Sequence, residues 1–189
     1  MISFQQHTLD TAPAASRPLL EAARSAWGFV PTLHATLAES PVALAAYTSL
    51  FDIVGRATLD DKERQIIFLV TSVLHGCEYC VAGHTFLARK AGLTEASLQA
   101  IRSQAPIIGN AREQALRTFC EGVVRERGLV GDAAVESFIA AGFTKSNVVE
   151  VVTIVATKVI SNYTNHLAHT PKESFMSDPA LNWVAKKAA

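Results

Sequence analysis

Three side chains capable of redox or nucleophilic chemistry cluster at one place in the chain. Cys77 and Cys80 form a C-x-x-C, and His84 follows four residues after the second thiol. Positions i, i+3 and i+7 share one face of a helix, so a single helix assembles this set locally. Two thiols three residues apart at a helix N-terminus can close a disulfide without large backbone movement. The free N–H groups and the positive end of the helix dipole favour thiolate over thiol. His84, one turn beyond Cys80, can take or relay its proton, which is the Cys–His pairing that activates a nucleophile. The same residue types admit two other readings. His75 and His84 would complete a Cys₂His₂ zinc set, although no second C-x-x-C or H-x-x-x-H is present, and the two cysteines could be inert packing. Cys120, beside Phe119 and Val123, reads as a core cysteine. A second polar cluster, Asn162, Asn165, His166 and His169, has i, i+3 and i, i+4 spacing, and its histidines suit a helix C-terminus as well as a site.

The elements that must position these groups read as helical almost throughout, because glycines and prolines fall between apolar runs of 3.6-like period. A helix ending at Trp27 is stopped by Gly28 and Pro31. Ser40 caps one with Pro41 at its first position. Asp60 with Glu63 forms a capping-box variant opening a helix to Gly76, and Cys77 to Ala91 forms the next. Thr94 opens a short helix, Asn110 one that runs to Gly128, and Asp132 to Ala141 is another short one. Thr144 caps a long final segment. Its β-branched residues raise the possibility of a strand, but its length and spacing favour helix. If the helices flanking Gly76 form an antiparallel hairpin, His84 lies opposite positions 65 to 67, of which Gln65 is the polar one. No βαβ pattern surrounds the C-x-x-C, which disfavours a thioredoxin fold.

Composition narrows the function classes. The chain has 189 residues, 49% hydrophobic and 18% charged, with 17 basic against 17 acidic side chains. That length suits one domain with a core needing no metal or disulfide staple. Zero net charge offers no footprint for nucleic acid and no polybasic contact with a membrane. The N-terminus lacks the basic and apolar regions of a secretory signal, and the longest apolar stretch, 148–160, is interrupted by polar residues, so a cytoplasmic location is expected. The apolar excess leaves surface for self-association.

The residues Glu63-Arg64-Gln65, an apolar helix, Cys77-Glu-Tyr-Cys80 and His84 resemble the alkyl hydroperoxidase D (AhpD) and carboxymuconolactone decarboxylase superfamily, in its peroxidase-related C-x-x-C branch. Gly28-Phe-Val-Pro31, Ala38-Glu-Ser-Pro41 and Asn162-Tyr-Thr-Asn165-His166 extend the similarity over about residues 27 to 170. The resemblance implies an all-α, AhpD-like helical bundle built around a helical hairpin, in a single homo-oligomeric domain, as a trimer or hexamer. It implies an arm over 1–40, a core over 41–170 and a tail over 171–189. It further implies a thiol-dependent peroxidase of the antioxidant type. Cys80 would meet the hydroperoxide, Cys77 would protonate the leaving group and resolve, and His84 would relay protons, with His166, Asn162, Asn165 and Tyr79 as accessory candidates. The family's relay glutamate falls on Gln65, an amide that hydrogen-bonds but cannot accept a proton. Glu63 lies about 200° around the helix from Gln65 and should point elsewhere. No cofactor or metal is implied. The expected partners are a hydroperoxide and a dithiol reductant, either a small thiol or a lipoylated or thioredoxin-like protein. The rival functions are a carboxymuconolactone decarboxylase-like lyase, which works without a C-x-x-C, and a non-enzymatic redox sensor or scaffold.

Overall fold

Side-chain caps and left-handed residues punctuate the chain into nine α-helices among residues 3–185, which the computed structural model describes. They are α1 (Arg17–Trp27), α2 (Thr32–Leu37), α3 (Pro41–Val54), α4 (Asp61–Leu74), α5 (Glu78–Lys90), α6 (Glu95–Ser103), α7 (Ala111–Arg125), α8 (Asp132–Ala140) and α9 (Lys145–Ala168). A 3₁₀ turn, Ser174–Ser177, follows. No strand is present among the described residues, so the fold is all-α. Residues 1–2 of the expected arm and 186–189 of the expected tail lie outside the described residues.

Each expected cap closes a helix start. Ser40, Asp60, Thr94, Asn110 and Thr144 accept hydrogen bonds from backbone N–H groups three residues on, and Asp60 and Thr144 form complete capping boxes. Two elements lack a sequence forecast. The six-residue α2 follows Pro31 where only a helix stop was expected, and the 3₁₀ turn lies in the unpatterned tail. Both are too short to show a periodicity, and packing holds them.

Helix α4 is the centre of the bundle. It is buried from Ile66 to Val73 and packs against α5, α6, α7 and α9. A helix apolar on every face must be surrounded, and each buried Ile, Leu or Phe contributes on the order of 2 kcal/mol. Phe119, Phe138 and Phe143 stack at ring distances of 4.2 Å to join α7 and α8 to this core. Gly76, at φ 70°, makes the turn that folds α5 back on α4. A residue with a Cβ is strained in that left-handed region. Helix α9 is continuous over 24 residues despite its β-branched content; its buried stripe includes Val151, Ile154, Lys158, Ser161 and Asn165.

The tail is packed rather than patterned. Met176 and Leu181 bury against Ala82, and the Trp183 indole donates to the Arg102 carbonyl at 2.9 Å. This brings Glu173 and Phe175 to the mouth of a cavity over α5.

Candidate active site

The α4–α5 hairpin and α9 enclose the two thiols. Cys77 is the N-cap of α5 and Cys80 lies in its first turn, and both are buried. The Asn165 amide of α9 donates to both sulfurs, at 3.3 Å to Cys80 and 3.7 Å to Cys77, and Ser161 Oγ lies 3.9 Å from Cys80. His84 Nδ1 is 2.8 Å from Gln65 Oε1, the contact that hairpin register alone predicts. Its Nε2 is 2.9 Å from Lys158 Nζ. An ammonium only donates, so Nε2 is the acceptor, Nδ1 carries the proton and the Gln65 carbonyl accepts it. The tautomer follows from the two neighbours. Phe68 stacks on the imidazole at 4.7 Å.

Lys158 is the group that motif reading overlooks. It is 1% exposed on the buried stripe of α9 and touches the Cys80 thiol electrostatically. Burial by itself pushes Cys80 upward. A hydrogen bond from Cys77, the charge and hydrogen bond of Lys158 and a hydrogen bond from Ser161 outweigh it and bring the thiol down to about 6. Cys77 moves the opposite way, because it is the donor to Cys80, is buried, and faces the charge forming there. His84 is pushed well below its ordinary value by burial and by Lys158, and is neutral. The site therefore pairs a thiolate, Cys80, with a thiol, Cys77, beside one buried cation. The signal in the sequence was a lysine in register with Val151, Ile154 and Ser161, a charge on a stripe that otherwise faces the core.

The remaining candidates separate. Asn165 joins the thiols, while Asn162 donates to His75 Nδ1 at 3.0 Å. His166 is exposed in a depression next to Cys77. The Tyr79 hydroxyl donates to Glu173 Oε1 at 2.7 Å and closes one wall of the cavity. Glu63 is spent on its capping box and an ion pair with Arg112 at 2.7 Å, so it does not substitute for Gln65. His75 and His84 are engaged elsewhere, and among the described residues no three His, Cys, Asp or Glu side chains gather as a metal site. Cys120 is fully buried, bonded to Thr71 and the Ile67 carbonyl, away from the pair.

A cavity of about 420 Å³ leads to Cys80, His84 and Lys158. Its walls are aromatic, with Trp27, Phe29, Phe51, Phe86 and Phe175 contributed by separate segments. Such walls favour an apolar or aromatic ligand, with Cys80 as the reactive group at its end.

Comparison with known proteins agrees with this architecture. The carboxymuconolactone decarboxylase family model matches residues 41–121. Over 68 residues the chain is 38% identical to alkyl hydroperoxide reductase AhpD of Mycobacteroides abscessus, a match covering 35% of this chain and 38% of that protein. The chain thus spans under half the length of that curated relative. An AhpD-core, uncharacterized peroxidase-related protein from Ralstonia eutropha JMP134 superposes with a TM-score of 0.80 at 21% identity, over 97% of this chain and 100% of that one. The debrominase Bmp8 in complex with 2,3,4-tribromopyrrole superposes with a TM-score of 0.75 at 16% identity, over 93% and 94%. At these identities the two structural likenesses speak to the fold.

Proposed function

We propose that this chain is a member of the AhpD-like and carboxymuconolactone decarboxylase superfamily, a reading supported by the family match over residues 41–121 and by the AhpD relative, and that within it the protein is a thiol-dependent peroxidase working through Cys80 and Cys77. The observation that carries the reading is the buried Lys158 beside Cys80, whose charge and hydrogen bond add to the hydrogen bond from Cys77 in favouring a nucleophilic thiolate. In the proposed cycle the Cys80 thiolate attacks the terminal oxygen of a hydroperoxide, forming the sulfenic acid and expelling an alkoxide. Cys77 gives its proton to that alkoxide, and its thiolate then attacks the Cys80 sulfur. The S–S bond forms, and the departing hydroxide takes a proton from Lys158 to leave as water; solvent returns that proton to Lys158, which is again the cation when the disulfide is reduced. Gln65 cannot carry a proton, so its role is to fix the His84 tautomer that receives the Lys158 hydrogen bond.

Cys80→Ser is expected to abolish thiol-dependent peroxide consumption, and full activity in that variant would eliminate the mechanism. Loss of two thiols together after stoichiometric peroxide, with turnover on adding a dithiol, separates a catalyst from a sensor. The aromatic cavity supports a second reading, reductive dehalogenation of an aromatic ligand. There Ar–Br and two thiols yield Ar–H, HBr and the same disulfide. Bromide release from a bromopyrrole without peroxide turnover would select it.

Self-association is part of the proposal. The outer face of α9 leaves Val149, Val152, Tyr163 and Leu167 48–72% exposed on one stripe, apolar area that a second copy would cover. Sedimentation as a monomer would refute it.

A further inference from the structure

Cys77 and Cys80 open in different directions. Cys80 ends the aromatic cavity, whereas Cys77 lies on the floor of a separate polar depression with Glu78, Asn165, His166, His169 and Lys172. Tyr79 lines both and stands between them, its hydroxyl tied to Glu173 and to the Leu33 N–H at 3.3 Å. Asn165 is 6% exposed, and its Oδ1 is a buried acceptor with no partner, beside Cys77. The amide nitrogen already spans the two sulfurs, so this carbonyl is left for something that enters. A buried polar atom without a partner is costly, and a ligand bearing a donor would satisfy it.

We propose that the depression beside Cys77 is the entry site for a polar, low-molecular-weight dithiol, which attacks Cys77 Sγ of the oxidised pair, while the aromatic cavity serves only the oxidising substrate. The inference rests on the reading that Cys77 and Cys80 form a disulfide. The dithiol enters as a monothiolate, one proton having gone to water, and its remaining S–H donates to Asn165 Oδ1. A bond forms from its sulfur to Cys77 Sγ, the Cys77–Cys80 bond breaks, and Cys80 leaves as a thiolate next to Lys158. The second thiol of the reductant then loses its proton to solvent. It attacks the reductant sulfur held on Cys77, closing a disulfide in the reductant and releasing Cys77, which takes up a proton. The reductant loses two electrons and the enzyme disulfide gains them. Leaving-group chemistry favours the same direction, since the sulfur better stabilised as thiolate departs faster, and Lys158 stabilises Cys80. Separate entries also let the alcohol product remain in the aromatic cavity while reduction proceeds.

The test traps the first intermediate. The full chain is oxidised with diamide, which closes the disulfide without any peroxide step. It is then treated with 2-mercaptoethanol in the presence of iodoacetamide, and the adducts are located by fragment mass spectrometry. The expected product carries mercaptoethanol on Cys77 and carbamidomethyl on Cys80, in at least roughly tenfold excess over the reverse pattern. Adducts on Cys80, an even split or no adduct overturns the proposal. A Cys77 adduct from the diamide-made disulfide, together with failure of hydroperoxides to form that disulfide, would sink the peroxidase reading and leave the reductant site standing. Peroxide turnover with adducts on Cys80 would do the converse.

Discussion

Cys120 and Cys80 are both buried thiols on helices that pack against α4, yet they are opposites. At the α4–α7 seam, burial pushes Cys120 up to about 12, and its only relief is the hydrogen bond to Thr71. At the α5–α9 seam, a donor thiol, a buried ammonium and a serine hydroxyl overcome the same burial and leave Cys80 at about 6. Low exposure therefore does not decide whether a cysteine is inert. What decides it is whether the surrounding helices bring a cation and hydrogen-bond donors to the sulfur.

The most direct way to break the comparison is to remove the cation. Lys158→Met keeps the volume of the stem while deleting the charge, and should raise Cys80 toward its ordinary value against the hydrogen bond from Cys77, which remains. The expected loss in iodoacetamide alkylation rate at pH 7 is about tenfold or more, because the thiolate fraction falls about tenfold for each pH unit by which the midpoint passes 7; an unchanged rate would refute the role of Lys158. In the wild type the same rate should titrate with a midpoint near 6. The sign is fixed by the depressed value: above the midpoint the thiolate persists and the rate is flat. Below it, protonation removes about tenfold per pH unit. A midpoint near 9 would make Cys80 behave like an ordinary thiol.

Cys120→Ala sharpens the contrast from the other side. Deleting a fully buried sulfur should cost about 1–2 kcal/mol in denaturant unfolding. Cys80 alkylation and turnover should stay within about twofold, and a larger kinetic effect would mean that the two seams communicate. The smallest effect is expected from Gln65→Glu, which sets a proton acceptor behind His84. Turnover should rise by about threefold, with a second ionisation in its pH profile, because Lys158 already holds the thiolate and only proton delivery improves. An unchanged profile would mean that the His84 arm carries no proton.

Much of this organisation is local and was legible without coordinates. Caps at Ser40, Asp60, Thr94, Asn110 and Thr144 act over three residues, and the left-handed turn at Gly76 is a property of one. The meeting of His84 with Gln65 follows from the register of a single hairpin. The all-α architecture rests on such short-range rules, and so does the pairing of Cys77 with Cys80 on one helix turn. The sequence singled out Asn165 as a candidate but could not say that its amide would bridge both sulfurs. Lys158 is 74 residues from His84, and a lysine on an α9 stripe has no meaning until α9 is packed across α5. Glu173 and Phe175 belong to a tail with no period, and they reach the cavity only because Met176 and Leu181 bury against Ala82. Secondary structure and motif spacing were determined by the sequence because their energetics are set within a few residues. The buried cation beside the thiolate, the aromatic cavity and the division of the two sulfurs between separate faces were decided by tertiary structure, because charge, desolvation and access depend on groups that only the folded chain brings together.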